Sequence, residues 1–406
     1  MTELKHPFTP DWISPPGDTI ADLLEERDWT QTQLSERLGY TEKHVSQLIN
    51  GKAPIGEETA LKLERVLGST AGFWLNREAH YRAQLAKIDE QEILASWISW
   101  LDSLPVKELM NQGIIPKRRQ DDKNKPNIVK DLLQFFGVAS PDDWQSVYGE
   151  MEYTFRRTRT EQSDIGSISA WLRRGEILAE HFECPKYNKS KFEKAVEEIR
   201  KLTVQEEPQY FVPEMRKICG EAGVVFVLVP SLPRAHTSGV ARWLNSHKAL
   251  IQLSLYGKTN DRFWFTFFHE VAHILLHGKN DIFLDEWDRG EKIESQQEQE
   301  ADQWAQEFLI PSKYESELRL LSSKENVKAF ANKIGIHPAI VVGRLQHEEI
   351  IQMNWMNNLK VSLEGLFTPL QQPPVDELPV SSKDNDFEKA VDYVLDKNKA
   401  LYERLC

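Results

Sequence analysis

The segment NDRFWFTFFHEVAHILLHG at residues 260–278 restricts the fold of this chain more than any other stretch. It is largely apolar, yet it contains His269 and His273, four positions apart, with Glu270 directly after the first histidine. Residues four apart lie on one face of an α-helix, about one turn from each other. The pattern therefore predicts a buried helix that directs two imidazoles towards one point.

Two imidazoles with this spacing and an adjacent glutamate are typical of a catalytic zinc site. Glu270 lies about 100° round the helix from His269, where its carboxylate can take a proton from a water that the zinc has made more acidic. We predict one Zn²⁺ per chain, bound by His269 and His273, with Glu270 as the general base. The alternative is that both histidines are coincidental residues of a buried helix, because the pattern also arises by chance.

A zinc site of this kind needs a third protein ligand, and its position separates enzyme classes. The metzincin class has a histidine six residues beyond the second one; here that position is Lys279, so the class is excluded. The later segment ESQQEQEADQWAQEFLIP predicts a helix in which Glu298 borders the apolar face and Glu300 lies away from it. That face is formed by Ala301, Trp304, Ala305, Phe308 and Leu309. We predict Glu298 as the third ligand.

Three further side chains are candidates for supporting roles. Asp302, one turn after Glu298, is predicted to accept a hydrogen bond from a ligand histidine; the alternative is an ordinary surface aspartate. His277 repeats the four-residue spacing but precedes Gly278, so we predict a structural histidine that caps helix carbonyls. His347 is a candidate to stabilise the oxyanion of a tetrahedral intermediate, against the alternative of a solvated histidine.

Residues 15–82 contain short helical patterns separated by glycines. Five helices fit this segment. In WTQTQLSERLGYTEKHVSQLINGK, Thr30 is predicted to cap one helix, Gly39 to adopt the left-handed turn, and Thr41 to cap a second helix that ends at Asn50. This is the pattern of a helix-turn-helix.

The second of these helices directs Val45, Leu48 and Ile49 inwards and its polar side chains outwards. Six side chains are candidates for contact with double-stranded operator DNA: Gln31, Thr41, Lys43, His44, Ser46 and Gln47. The alternative is a helical bundle that binds protein, because this segment has more acidic than basic residues and the whole chain has a formal net charge of −13.

The remaining sequence divides into segments that differ in composition and in hydrophobic pattern. Residues 83–206 are helical in pattern and contain no motif; we expect a linker or sensor region there. Strand-like runs begin only after residue 222, and we expect an exposed edge strand within 237–254 to hold an extended peptide. The predicted segments are an N-terminal arm (1–14), a helix-turn-helix domain (15–82), the helical region (83–206), a metallopeptidase domain (207–367), and a Pro-rich linker with a C-terminal helix (368–406).

Composition sets the broad class. With 406 residues, 40% of them hydrophobic, the chain is long enough for more than one core. It has no apolar run approaching the roughly 18 to 20 residues of a membrane span and no secretory pattern at its start, so we expect a cytoplasmic protein without a membrane partner. Its 3 cysteines are far apart and predict neither a disulfide framework nor a cysteine zinc site.

Four segments, SGVARWL, KALIQLSLYGKTNDRFWFTFFHEVAHILLHG, EQEADQWAQEFLIP and IHPAIVVGRLQH, together resemble the ImmA/IrrE metallo-endopeptidases over residues 207–350. Residues 15–82, with FWLNREAHY, resemble the Xre-type domain of HigA-like antitoxins. The resemblance implies zinc bound by His269, His273 and Glu298, Glu270 as the base, and cleavage of a helix-turn-helix repressor or antitoxin under stress. One departure is Trp304, where the family has phenylalanine.

The expected architecture is therefore multidomain: an all-α, lambda-repressor-like helix-turn-helix domain, a helical middle region, and an α+β gluzincin-like metallopeptidase domain. The expected function is DNA-binding transcriptional regulation combined with zinc-dependent endopeptidase activity, in a stress, phage or mobile-element response. Xre-type domains usually bind as dimers, so we expect a homodimer. The alternative is a non-enzymatic HigA-like repressor or antitoxin whose peptidase fold senses a ligand or binds a partner.

Overall fold

A computed structural model describes residues 14–156, 164–254, 258–278, 283–286 and 296–363. It divides into two compact units, one reaching Ser99 and including Gln120–Lys130, the other comprising Trp100–Arg119 and the residues from Asp131 onward. The predicted N-terminal arm, apart from Ser14, and the predicted C-terminal linker and helix at 368–406 lie outside the described residues. None of the described helices is both long and apolar enough to cross a membrane.

The first unit contains the five predicted helices. They are α1 (Pro16–Glu26), α2 (Gln31–Leu38), α3 (Glu42–Ile49), α4 (Glu57–Leu67) and α5 (Ala71–Ser96). Their apolar sides meet in one core that includes Val45 and Leu48, which confirms the predicted inward face of α3. The last helix extends to Ser96 because the stretch after residue 82 is rich in Ala, Gln, Glu and Lys, which are strong helix formers.

The turn between α2 and α3 has the predicted caps. The Thr30 hydroxyl accepts from the Gln33 backbone N–H (3.2 Å), and the Gln33 side chain accepts from the Thr30 N–H (2.9 Å). Gly39 adopts the left-handed conformation with φ 69°, and the Thr41 hydroxyl accepts from the His44 N–H (3.2 Å). These local bonds set where α2 ends and where α3 begins.

The second unit is mixed α and β. Its helices before the sheet are α6 (Val106–Asn111), α7 (Lys125–Phe136, whose first residues belong to the first unit), α8 (Pro141–Arg156), α9 (Ile165–Glu180), α10 (Lys189–Leu202) and α11 (Pro208–Glu221). The later elements are β1 (Val224–Leu228), β2 (Thr237–Asn245), β3 (Lys248–Leu253), α12 (Asn260–Leu276), β4 (Phe283–Glu286), α13 (Gln296–Leu309), α14 (Glu315–Leu318), α15 (Lys324–Ile334) and α16 (Pro338–His347). The expected multidomain architecture is confirmed.

The four strands form one sheet in the order β1-β3-β2-β4. β1 runs parallel to β3, whereas β2 is antiparallel to both β3 and β4. The expectation of an exposed edge strand within 237–254 is wrong, because β2 and β3 each have a neighbour on both sides. The edges are β1 and β4, and β4 covers the side of β2 that would otherwise be open.

Both faces of the sheet are covered by helices. Ala241 and Ile251 belong to the core that contains α11 and α12. On the opposite face Arg242 donates to the Leu172 carbonyl (2.7 Å), and Gln252 donates to the Trp171 carbonyl (2.7 Å), both in α9. Helices from within 83–206 therefore pack directly on the sheet, although the domain boundary placed at residue 207 remains a prediction.

One arginine donates hydrogen bonds to the C-terminal ends of two helices, α13 and α15. Arg200, in α10, donates to the carbonyls of Phe308 (3.0 Å) and Leu309 (2.8 Å) at the end of α13. It also donates to the Ile334 carbonyl (3.1 Å) at the end of α15. Carbonyls in the last turn of a helix have no partner within the helix, so this side chain satisfies three such groups and holds α13 in place.

Candidate metal centre and nucleic-acid interface

The helix α12 brings its two histidines together in a dry environment. His269 is 1% exposed and His273 is 2% exposed. Their Nε2 atoms lie 3.0 Å apart, so both rings point at the same small volume. Apolar neighbours on α12, including Phe268 and Ala272, bury the helix on the sheet and leave these two rings aligned on one side.

The helix α13 adds a carboxylate to the pair. Glu298 places Oε2 3.2 Å from His269 Nε2 and Oε1 3.5 Å from His273 Nε2. Among the described residues, these three form the one group of metal-ligating side chains whose ligand atoms all lie within 4.8 Å of one another. Ligand atoms around a tetrahedral zinc with bonds of about 2.0–2.1 Å are about 3.3 Å apart, so the donor set fits zinc in chemistry and in spacing.

Asp302 holds the ring of His269. Its Oδ1 atom lies 2.8 Å from His269 Nδ1. A carboxylate accepts there, so Nδ1 is the protonated nitrogen and the Nε2 lone pair faces Glu298 and His273. The structure thus places Asp302 next to a histidine, as the spacing of one turn from Glu298 suggested, and its orienting role stays a prediction.

His277 contacts the site in a way that the sequence reasoning missed. We expected it to cap helix carbonyls, but its Nδ1 lies 2.9 Å from His273 Nδ1 and its Nε2 lies 3.3 Å from Glu300 Oε2. Two hydrogen bonds, the larger effect from Gln296 and the smaller from His277, lower the pKa of the exposed Glu300 carboxyl. Within the described residues, Glu300 bonds to His277 and not directly to His269 or His273. The repeated spacing 269, 273, 277 was the signal that could have revealed this contact.

Glu270 is completely buried beside strand β2. A Cβ atom added at Gly239 would lie 2.5 Å from Glu270 Oε1 and 2.9 Å from Thr266 Cγ2. A side chain at this position would force these contacts to shift, so glycine lets the backbone of β2 approach Glu270 closely. The carboxylate is thus enclosed between α12 and the backbone of β2, next to the paired imidazoles.

His347 stands apart from this cluster. It is exposed at the last position of α16, and within the described part of the chain no hydrogen bond joins it to His269, His273 or Glu298. It does line the same cavity as Asp302. Its role at an oxyanion stays a prediction.

The second feature of interest is the outer face of α3. Thr41 and Lys43 are exposed, and His44, Ser46 and Gln47 are half-buried. The His44 ring packs edge-on against Tyr40 at 4.6 Å, and Asn50 Nδ2 donates to Ser46 Oγ (3.3 Å). Of the six predicted DNA contacts, Gln31, Lys43 and Gln47 form no side-chain bond to other described residues.

Most basic side chains of the first unit contact other residues of the same unit. Arg27 donates to two carbonyls at the end of α4, Arg37 stacks over Trp29 at 4.0 Å, and Lys62 pairs with Glu58 at 2.9 Å. Lys43 and Lys52 have no ion pair within the described residues. Lys52 follows α3 directly and was not among the predicted contacts, although the motif INGK contained it.

Two segments of the chain match known families. Residues 20–74 match the family described as "Helix-turn-helix". Residues 227–346 match the family described as "IrrE N-terminal-like domain". The chain joins a helix-turn-helix domain to an IrrE N-terminal-like domain. The fusion expected from the sequence motifs is confirmed, and the helix α12 and the helix α13 both fall inside the second match.

Curated relatives match only a short part of the chain. It is 34% identical over 61 residues to the uncharacterized HTH-type transcriptional regulator YddM of Escherichia coli K12, which is 15% of this chain and 65% of that protein. It is 37% identical over 65 residues to the uncharacterized HTH-type transcriptional regulator YbaQ of the same strain, 16% of this chain and 58% of that protein. The chain therefore spans less than two thirds of the length of either relative.

Two solved structures are similar to a fifth of the chain. One is described as an antidote protein of a plasmid maintenance system from Nostoc punctiforme, with 29% identity over 20% of this chain and 87% of that one, and a TM-score of 0.19. The other is an addiction module antidote protein of a HigA family from Coxiella burnetii, with 29% identity over 20% of this chain and 90% of that one, and a TM-score of 0.19.

The IrrE N-terminal-like domain begins within β1 and ends within α16. The match indicates a metallopeptidase-like fold for this segment, which contains all three clustered residues and Glu270. It does not contain Arg200 or α9, which bond to it from earlier in the chain.

Proposed function

We propose that this chain is a DNA-binding transcriptional regulator with zinc-dependent endopeptidase activity. The observation that supports the proposal most strongly is the cluster of His269, His273 and Glu298 with the buried Glu270 beside it. Two neutral imidazoles and one carboxylate, with no fourth protein ligand among the described residues, are the donor set of a catalytic zinc rather than of a closed structural one.

His269, His273 and Glu298 would hold the zinc, and Asp302 and His277 would orient the two rings. When bound, zinc polarises a peptide carbonyl and makes water more acidic. Glu270 accepts a proton from the attacking water, and the water oxygen forms a bond to the carbonyl carbon. Glu270 then delivers that proton to the nitrogen as the C–N bond breaks, which leaves a carboxylic acid and an amine.

Strand β4 replaces the segment 237–254 as the candidate for holding the substrate. β4 pairs with β2 on one side, and no other described strand pairs with its second side. An extended peptide can add to such an edge through backbone hydrogen bonds. The substrate would then run beside β4, one strand away from β2, whose Gly239 borders Glu270.

We propose that α3 reads operator DNA through Lys43 and Gln47, in a homodimer whose half-sites are about 34 Å apart. Changing Lys43 and Gln47 together to Ala is expected to abolish operator binding without changing the zinc content, because both side chains are on the first unit and neither packs in its core. Binding to duplexes selected from a random pool, measured by fluorescence anisotropy at several salt concentrations, checks this. Lys62→Ala is the matched control, because Lys62 is already paired with Glu58. A selection that yields no bound duplex would favour a protein-binding bundle.

We propose that the substrate is a helix-turn-helix repressor or antitoxin. The DNA-binding domain brings the peptidase to regulators bound at the same operator, which raises their effective concentration near the site. A chain that cut itself constantly would not accumulate, so the proposal includes a stress signal that permits cleavage.

The proposal is tested by comparing stressed cells that contain the wild-type chain with cells that contain Glu270→Gln. Mass spectrometry of the neighbouring regulators and of this chain is expected to show a new peptide end only with the wild type. If no protein is cut in a Glu270-dependent manner under DNA-damaging or oxidative stress, the chain is better described as a non-enzymatic HigA-like repressor whose peptidase fold serves as a sensor.

A further inference from the structure

The C-terminal end of α3 is held in a fixed position by the residues around it. The Gln47 carbonyl accepts hydrogen bonds from the backbone N–H groups of Lys52 (2.8 Å) and Ala53 (3.0 Å). On another side, a Cβ atom added at Gly17 of α1 would lie 1.8 Å from the Ile49 carbonyl oxygen, so the two backbones are in close contact. A helix fixed on a packed domain presents its outer side chains at defined positions, which is what the recognition of individual bases requires.

Several polar side chains on the outer face of α3 already have contacts within the domain. The Thr41 hydroxyl accepts from the His44 backbone N–H (3.2 Å), and the His44 ring packs edge-on against Tyr40 at 4.6 Å. Asn50 Nδ2 donates to the Ser46 carbonyl (2.7 Å) and to Ser46 Oγ (3.3 Å). These side chains would have to give up a contact in order to reach a base edge.

Lys43 and Gln47 differ from these neighbours. Neither side chain forms a hydrogen bond or an ion pair with any other residue in the part of the chain that the structure describes. They are four positions apart, so they lie on one face of α3 and about 6 Å apart along its axis. Base pairs are stacked about 3.4 Å apart, so this separation corresponds to about two base-pair steps.

The two side chains have different hydrogen-bonding groups. The ammonium group of Lys43 has only donors, and guanine presents N7 and O6, both acceptors, in the major groove. The carboxamide of Gln47 has a donor and an acceptor, which match N7 and the N6 amino group of adenine. Each side chain is therefore complementary to a different purine.

We propose that Lys43 binds a guanine and Gln47 binds an adenine in the major groove of the operator. Each half-site then contains a G·C pair and an A·T pair that are no more than about two base-pair steps apart. This assignment rests on the proposed DNA-binding function and extends it, because it names the bases that α3 selects. Lys52 follows α3 in the chain and has no part in the selection of bases.

The test begins with the selection of duplexes from a random pool by the full-length chain, followed by sequencing. The selected half-sites are expected to contain both pairs. Replacing either pair should weaken binding of the wild-type chain by about 10-fold, measured by fluorescence anisotropy at one salt concentration. Lys43→Ala is expected to lose the preference at the G·C pair and to keep the preference at the A·T pair, and Gln47→Ala the reverse.

Gln47→Arg tests the same assignment by a gain of specificity. An arginine has only donors and binds guanine through O6 and N7, so this variant is expected to select G·C at the position where the wild type selects A·T. A change in the stability of the domain alone would not exchange one preferred base pair for another. This variant therefore keeps the assignment testable even if an alanine variant binds too weakly to be measured.

Lys52→Ala is the control, because Lys52 is exposed and has no ion pair within the described residues but lies outside α3. It is expected to keep the wild-type preference at both pairs, whatever its overall affinity. Selected half-sites that lack either pair, or a Gln47→Arg chain that selects the same bases as the wild type, would overturn the assignment while leaving DNA binding intact. A pool from which no duplex is bound would overturn the proposed DNA binding itself.

Discussion

Glu270→Gln is expected to keep the zinc content of the purified chain and to lower peptide hydrolysis by at least about 100-fold. Glutamine has the same shape as glutamate, so it fits the enclosed position between α12 and Gly239, where Glu270 is fully buried. Its amide, however, cannot accept a proton from water. The three clustered side chains are unchanged, and the affinity for the metal should therefore remain.

Zinc content by atomic emission and hydrolysis of a peptide mixture, measured on the same sample, check this result. Glu307→Gln is the control, because Glu307 accepts hydrogen bonds from Ser312, shortly after α13, and is far along the helix from Glu298. Hydrolysis by Glu270→Gln within a few-fold of the wild type would disprove its role as the base. Loss of the metal in this variant would instead make Glu270 a ligand.

Glu298→Ala is expected to lower zinc affinity by roughly 10-fold or more, whereas Glu300→Ala should change it far less. Glu298 lies 3.2 Å from His269 Nε2 and is mostly buried, so its loss removes one of three donors. Glu300 is exposed, and its carboxylate bonds to His277 and Gln296 in the part of the chain that the structure describes. Competition with a chromophoric chelator measures both affinities on the same scale. If Glu300→Ala proved the more damaging, the third ligand would have to be reassigned.

The part of the site that lies on regular helices was predictable from the sequence. The four-residue spacing of His269 and His273 determines their common direction once α12 forms. The helical period likewise separates Glu298 from Glu300, since only the first borders the apolar face that packs on α12. Caps at Thr30 and Thr41 and the left-handed Gly39 could be predicted for the same reason, because each depends on bonds within a few residues.

Features that depend on distant segments were not predictable. One edge of the sheet is β4, whose four residues give almost no strand pattern and pair with residues of β2 between Thr237 and Ala241, far earlier in the chain. Likewise His277 could be placed at a helix end from its glycine neighbour, but its bond to His273 depends on how that end is packed.

The hydrogen bonds of Arg200 to helix carbonyls and the contacts of α9 determine where this protein can be truncated for experiments. A fragment that starts at residue 207, or at the family boundary 227, lacks Arg200 and leaves the last carbonyls of α13 without their donor. The fragment also lacks α9, which covers one face of the sheet. Val240 and Leu250, which are completely buried in the full chain, would then be exposed on that face. Such a fragment would present a bare apolar sheet face, which favours aggregation. Expression trials and limited proteolysis should therefore aim for a shortened chain that begins before Ile165, the first residue of α9.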